Sequence, residues 1–131
     1  MKKYIGTKVI MAEPMTMKEA QKVLGRELKP ATVEEDGYLV EYKDGYKSWS
    51  PKSVFEEAYK LSETVLDRLK IEHAELKERI EKLETFFGDD FDEGMKKVGA
   101  HQAALLLMQH AYMENYLEVL ESRIDLMEEN K

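Results

Sequence analysis

The sequence predicts an α+β protein: a small antiparallel β-sheet with short helices over residues 1–60, followed by a long antiparallel two-helix hairpin over residues 61–131. A strand–turn–strand pattern in the first half and two apolar stripes of heptad spacing in the second half carry this prediction. A chain of 131 residues has an ordinary domain length, whereas a lobe of about sixty residues is marginal alone. We therefore expect one compact structural unit whose two lobes depend on each other or on oligomerisation.

The chain opens with a predicted strand over Lys3 to Ala12, a segment rich in Ile, Val, Thr and Tyr. A short helix follows over Met17 to Leu24, because Thr16 and Glu19 have the spacing of a capping box and Gly25 can end the helix.

The clearest β signal is a hairpin in which residues 38–42 and 46–50 flank Lys43-Asp44-Gly45. Gly45 lies in this turn, and glycine adopts the positive φ of a tight turn more easily than other residues. Ser50 as N-cap and Pro51 as first helical residue then predict a short helix through Lys60. Ser62 can cap the long helix that follows.

Two apolar stripes, each with steps of three or four residues, define the long helices. Between them lies GDDFDEG, residues 88–94, which predicts a break and a chain reversal. The first stripe consists of Leu66, Leu69, His73, Leu76, Ile80, Leu83 and Phe87, and the second of Leu106, His110, Met113, Leu117, Leu120, Ile124 and Met127.

Histidines within both stripes raise the question of a metal or acid–base site. If Phe87 lies near Leu106, His73 faces about Leu120 and His110 faces about Leu83, so the imidazoles are roughly two turns apart. We expect both to be structural and predict no metal site. His101 is expected to be a helix-start residue.

The acidic loop between the stripes invites comparison with a calcium site. It lacks the twelve-residue pattern of alternating oxygen ligands, so a solvated turn is the better interpretation of Asp89, Asp90, Asp92 and Glu93.

Composition restricts the function classes. There is no cysteine, and no serine–histidine–acid arrangement, phosphate loop or metal-ligand spacing occurs, so we expect neither an enzyme nor a resident cofactor. No signal peptide and no span of about 20 apolar residues is evident, so the chain is expected to be cytosolic. Residues 61–131 carry 9 Lys or Arg against 17 Asp or Glu, a charge that repels nucleic acid polymers.

Two adjacent aromatics suggest a binding surface. Because neighbouring helical residues point about 100° apart, either Phe86 or Phe87 must point away from the helix–helix seam. An aromatic ring beside Gln109, His110 and Asn115 could stack on a flat base.

The first half resembles an N-terminal module of small bacteriophage proteins. The resemblance rests on GYLVEY at residues 37–42, SWSPK at 48–52 and FEEAY at 55–59, together with Ile5-Gly6-Thr7-Lys8 and Pro14-Met15-Thr16.

The second half narrows the resemblance. Residues 69–86, with their ELKERIEKLE run, and residues 113–124, with YLEVL, resemble the two-helix region of the first type of Thoeris anti-defence protein. That family implies a phage-encoded sponge in the host bacterial cytosol that assembles as a dimer or hexamer. It sequesters a cyclic ADP-ribose signal that a TIR-domain protein makes from NAD, glycocyclic ADP-ribose in particular, and some members hold cyclic oligonucleotides at a second site.

This resemblance implies a set of ligand-binding residues. The aromatic at the end of the first long helix would stack on adenine, and cations, some from a neighbouring subunit, would meet the pyrophosphate. At the position after FEEAY, where related sequences often have arginine, this chain has lysine. The set is Phe86, Phe87, Lys60, Arg79, Gln109, His110, Tyr112, Asn115 and Arg123.

A second hypothesis needs no small ligand. The net charge of −7 also suits an acidic helical inhibitor that docks on a host protein.

Overall fold

The computed structural model describes residues 1–29 and 34–130. The chain divides into two compact units, Met1–Lys60 and Leu61–Lys131. The first unit contains a small sheet and two short helices, and the second is entirely helical. None of the described helices combines the length and apolar character that crossing a membrane requires.

The sheet of the first unit has three antiparallel strands in the order β1-β2-β3. They are β1 (Met11–Pro14), β2 (Gly37–Glu41) and β3 (Lys47–Pro51). Leu39 lies opposite Trp49 across the hairpin, and Gly45 in its turn has φ +89°. The hairpin prediction is thus confirmed.

The first strand is shorter than predicted. It pairs from Met11 opposite Glu41 to Pro14 opposite Tyr38, whereas the prediction began at Lys3. The ladder cannot extend further toward the N-terminus because β2 ends at Glu41, where Tyr42 turns to bond Tyr46. Residues 3–10 therefore have strand-like composition without a strand beside them.

Helix α1 (Met17–Leu24) has the predicted boundaries. The Thr16 hydroxyl accepts from the Glu19 amide at 3.2 Å, the Glu19 carboxylate returns to the Thr16 amide, and Gly25 ends the helix at φ +69°. Reciprocal bonding of this kind satisfies two amides that the helix itself cannot use.

Helix α2 (Lys52–Ala58) begins one residue later and ends earlier than predicted. Ser50 belongs to β3 and does not cap the helix, and Pro51 is the N-cap without a side-chain bond. The helix stops before Lys60 because Tyr59 has an extended backbone, with φ −130° and ψ 143°.

Trp49 lies at the centre of the first unit. Its indole nitrogen donates to the Met15 carbonyl at 2.7 Å, which satisfies its polar atom inside the core. Gly37 lies so close beneath the ring that an added Cβ would be 2.5 Å from Trp49 Cζ2. The buried side chains here are Ala20, Leu39, Val40 and Trp49.

The second unit contains α3 (Val65–Phe87), α4 (Phe91–Val98) and α5 (Ala100–Glu129). Helices α3 and α5 run antiparallel, because His73 bonds Glu121 and Glu84 bonds His110. These partners agree within one residue with the predicted register, and both stripes face the seam. The seam buries Leu69, Leu76, Ile80 and Leu120, with Met113, Leu117, Ile124 and Met127 packed against them.

Two local predictions in this unit are wrong. Thr64, not Ser62, caps α3, through a capping box with Asp67. The segment 88–94 is a loop only to Asp90, because the Asp90 side chain accepts from the amides of Asp92 and Glu93 and starts the additional helix α4. Gly94 lies inside that helix, where any Cβ would meet Phe87 Cδ1 at 2.5 Å.

Candidate functional site

The seam between α3 and α5 has two flanks. On one flank, polar contacts cross between the helices: Lys70 forms an ion pair with Glu128 at 3.0 Å, and the imidazoles of His73 and His110 contact Glu121 at 3.1 Å and Glu84 at 2.9 Å. We call this flank the ion-paired side. The opposite flank, which we call the open side, is crossed by none of the ion pairs between described residues.

Helix α5 also carries an exposed row of apolar residues on the open side, distinct from its seam residues. We call this row the open-side stripe. Most of its members come one residue before a seam residue, so they point about 100° away from the seam. Their exposed fractions range from 44% to 66%, although each side chain is large and apolar. The stripe consists of Leu105, Met108, Tyr112, Tyr116, Val119 and Leu126.

Helix α3 brings Arg79 and Phe86 to the same side. The two residues are seven apart and share one face of the helix. That face lies on the flank of the seam stripe opposite to Lys70 and Glu84, which form the ion pairs. The observed register places Phe86 opposite Met108 and Arg79 opposite Asn115.

Phe86 combines an aromatic face with a cation. Its half-buried ring meets Phe87 edge-on at 5.5 Å, and the Lys97 ammonium lies 5.1 Å from the ring centroid. Lys97 Nζ also donates to the Phe86 carbonyl at 3.2 Å. A flat ring beside an ammonium group can bind a ligand that joins an aromatic base to a phosphate.

Phe87 packs in the corner between α3 and α4. Its ring stacks on Phe91 at 5.3 Å and touches Gly94. The two adjacent phenylalanines therefore have different surroundings, as their helical spacing requires.

Other residues of the expected set also lie on the open side. Tyr112 is 66% exposed, and Arg123 is exposed further along α5. Gln109 lies at the edge of the seam, where its amide reaches Met113 Sδ at 3.7 Å. Neither Arg79 nor Arg123 forms an ion pair with another described residue.

Two members of the expected set lie elsewhere. His110 is on the ion-paired side, where Nε2 is 2.9 Å from Glu84 Oε1 and 3.2 Å from Glu114 Oε1. Lys60 belongs to the first unit, and its ammonium donates to the Glu56 carbonyl at 2.7 Å. The helical unit thus places Phe86, Arg79 and Tyr112 on one side of the seam, whereas Asn115, two residues before the seam residue Leu117, points away from the seam.

Lys97 was missed by the sequence reasoning. Its position depends on α4, whose presence was masked by the glycines and aspartates of the loop. The sequence does contain a signal for this helix. Asp90 is a favoured N-cap residue, and Lys96 and Lys97 lie where basic residues are favoured, in the last turn of a short helix.

A groove in the first unit has a lining unsuited to an anion. Its volume is about 430 Å³, and Glu19, Asp36 and Glu56 outnumber Lys52 among its lining side chains. Tyr38 lies in the same groove and donates to Glu56 at 2.9 Å, which raises the pKa of the phenol. Its acidic lining makes this groove a weaker candidate for phosphate than the open side.

The comparison with protein families matched the helical unit. Residues 63–126 match the family described as Sequestin, a match that spans α3, α4 and most of α5. No curated protein and no solved structure matched the chain. The family is that of the Thoeris anti-defence sponges, and its name indicates a sequestering role. The helical unit of this chain is therefore similar to the Sequestin family over residues 63–126, which include α3, α4 and most of α5.

Proposed function

We propose that this protein is a phage anti-defence sponge that binds a cyclic ADP-ribose signal made by a TIR-domain protein, glycocyclic ADP-ribose in the first instance. The observation that carries the proposal is the Sequestin match over the two long helices, the part of the chain that presents Phe86 beside Lys97. Binding alone removes the signal, so the chain needs no catalytic group.

The open side has the chemistry that such a ligand requires. Adenine would stack on Phe86, while Lys97 and Arg79 would meet the pyrophosphate through charge-assisted hydrogen bonds. Tyr112 would contact the riboses or the base. Cyclic oligonucleotides present the same combination of bases and phosphates and are the second class of ligand to test.

We also propose that the protein is a homo-oligomer, with the open side of α5 covered by a second copy. From Leu105 to Leu126 the open-side stripe runs about 32 Å along the helix at about 1.5 Å per residue. Its members are contiguous from Leu105 to Val119, and Arg123 separates them from Leu126. A contiguous exposed apolar stripe marks an association surface. In such an assembly, Lys60 or Arg123 of one copy could complete the phosphate contacts of another.

The alternative function places a host protein on the same stripe, with no small ligand. It is favoured by the exposure of the stripe together with the acidic charge of the helical half. Ligand binding separates the two functions, because the inhibitor needs none.

The test is to titrate the full chain with cyclic ADP-ribose isomers and cyclic oligonucleotides while following the thermal transition. A ligand at 100 times its Kd should stabilise the fold by about 2.7 kcal/mol. Heating the complex should then release the ligand with its original mass, as measured by mass spectrometry. A shifted ligand mass would contradict simple sequestration, and no thermal shift with any of these ligands would leave the protein inhibitor as the better proposal.

A further inference from the structure

A cluster of three possible metal ligands lies on the ion-paired side, away from Phe86. Glu84, His110 and Glu114 each offer one ligand atom, and these atoms all lie within 4.8 Å of one another. The His110 Nε2 atom is between the two carboxylates, at 2.9 Å from Glu84 Oε1 and 3.2 Å from Glu114 Oε1.

Two helices hold this cluster in place. His110 and Glu114 are four residues apart on α5 and therefore share a face, and Glu84 reaches them from α3 across the seam. The seam register is fixed by the buried leucines and isoleucine beside it, so the cluster does not depend on a loop.

The spacing of the atoms fits a small metal ion. Zn²⁺ binds His nitrogen and carboxylate oxygen at about 2.0 to 2.2 Å, which places tetrahedral ligand atoms about 3.4 Å from one another. The two distances to His110 are close to that value, and the carboxylate oxygens of Glu84 and Glu114, which lie within 4.8 Å of each other, would have to approach by at most about 1.4 Å. One imidazole with two carboxylates is also a ligand set that suits zinc better than magnesium, since magnesium prefers an all-oxygen shell.

The surroundings add negative charge. A groove of about 540 Å³ shares Glu84 with the cluster and is lined by Glu81, Glu84, Thr85, Gly88 and Asp89, with no lysine or arginine. Glu84 and Glu114 each carry a negative charge, and neither forms an ion pair with a described lysine or arginine. A divalent cation would neutralise that charge.

We propose that Glu84, His110 and Glu114 form a binding site for a divalent transition-metal ion, with Zn²⁺ the favoured ion. The ion takes three protein ligands and leaves a fourth position to water. By bridging α3 and α5 it fastens the hairpin close to its corner. This site is independent of the proposed nucleotide function, because it lies on the other side of the seam.

Calorimetric titration of the chelator-treated full chain with Zn²⁺, without nucleotide, tests the site. We expect one ion per chain and an increase in the thermal transition that a chelator reverses. Co²⁺ should give an absorption spectrum typical of nitrogen and oxygen ligation. Glu114→Gln should weaken Zn²⁺ binding by at least about tenfold, because even residues that only orient a metal ligand contribute that much.

Glu121→Gln is the matched control, because His73 and Glu121 form a histidine–carboxylate pair on the same side. Circular dichroism checks that both variants remain helical. We expect the control to bind Zn²⁺ like the original chain. Equal weakening by both substitutions, equal affinity for Mg²⁺, half an ion per chain or no saturable binding would each overturn the three-residue site.

Discussion

The two flanks of the seam between α3 and α5 differ in the type of side chain that they present. On the ion-paired side, polar residues of α3 and α5 meet across the seam; Lys70 and the glutamates are about half exposed, and the two histidines are about a quarter exposed. On the open side, α5 exposes a row of large apolar residues to water. Exposed ion pairs contribute little stability, whereas an exposed apolar row is costly until something covers it. This difference indicates that the ion-paired side aligns the helices, and it supports our proposal that the open side is a surface for association.

A substitution in the buried seam between the two sides should have the largest effect on the free energy of unfolding. Leu120 has 0% exposure and packs in the core that both sides share. Leu120→Ala should lower the free energy of unfolding by about 3 to 5 kcal/mol through the cavity it leaves. Chemical denaturation measures this loss, and a change below about 1 kcal/mol would show that the seam does not carry the stability of the unit.

A charge on the open side should disrupt assembly. Val119 is 56% exposed in the middle of the stripe, so Val119→Glu would place a desolvated carboxylate in the interface at a cost of several kcal/mol. Light scattering after size exclusion should then give a mass near that of one chain, 15.3 kDa, in place of a larger mass.

Leu107→Glu is the control for this prediction. Leu107 is an exposed apolar residue of the same helix but lies off the stripe, at 47% exposure. This variant should keep the original mass. If the unmodified chain is already a monomer at micromolar concentration, the open side does not join copies.

Substituting the two adjacent phenylalanines should have different effects, on ligand binding for Phe86 and on stability for Phe87. Phe86→Ala should weaken binding of the cyclic nucleotide by about 1 to 3 kcal/mol, as expected for loss of base stacking. Phe87→Ala should mainly lower the unfolding free energy, because its ring fills the corner against Phe91 and Gly94. Calorimetry and thermal denaturation of both variants measure the two effects, and the reverse result would assign the stacking ring to Phe87.

Removing an ion pair should have a much smaller effect. Glu121→Gln breaks the contact with His73, yet Glu121 is half exposed, so we expect a loss of less than about 1 kcal/mol. High salt should abolish even that difference. A loss comparable with that of Leu120→Ala would mean that the ion-paired side stabilises the hairpin as much as its core does.

Lowering the pH should remove the stability that the capping box at the start of α3 contributes. The amide of Thr64 is the main cause of the lowered pKa of Asp67 in the capping box. Because the folded pKa lies below the unfolded value of about 3.9, the stabilisation is present above pH 4 and is lost as the pH falls through the folded pKa. Denaturation of Asp67→Asn across this range should show a weaker pH dependence. An unchanged profile would assign the acid sensitivity to other carboxylates.

Much of the hairpin could be predicted because its signals are local and repeated. Each stripe fixes the face of its helix at several positions, so the register of His73 and His110 came within one residue of the observed partners. The Thr16 capping box is likewise a short-range pattern. Prediction failed where the secondary structure of a segment depends on a neighbouring strand. Residues 3–10 have strand composition, but the neighbouring strand ends too soon to pair with them.

The candidate site was harder to predict than the fold. Lys97 reaches Phe86 only because α4 folds back beside the end of α3. Glycine disfavours a helix by about 1 kcal/mol, so Gly94 pointed to a loop, but its missing side chain is what lets Phe87 approach. Which flank of the seam each residue occupies was also not evident from either stripe alone. It follows from the ion pairs, which show how the two helices are turned toward each other.

The register of the seam also determines where the hairpin tolerates a change in length. Glu84 and His110 face each other on either side of the corner, and His73 and Glu121 do so further along the same helices. An insertion at Asp89, in the loop between α3 and α4, would leave every one of these facing pairs intact, because it lengthens only that loop. One residue inserted between His73 and Glu84 would turn the rest of α3 by about 100° and move its apolar residues out of the seam. Insertions and deletions in related sequences should therefore collect at the corner and be rare within the two long helices.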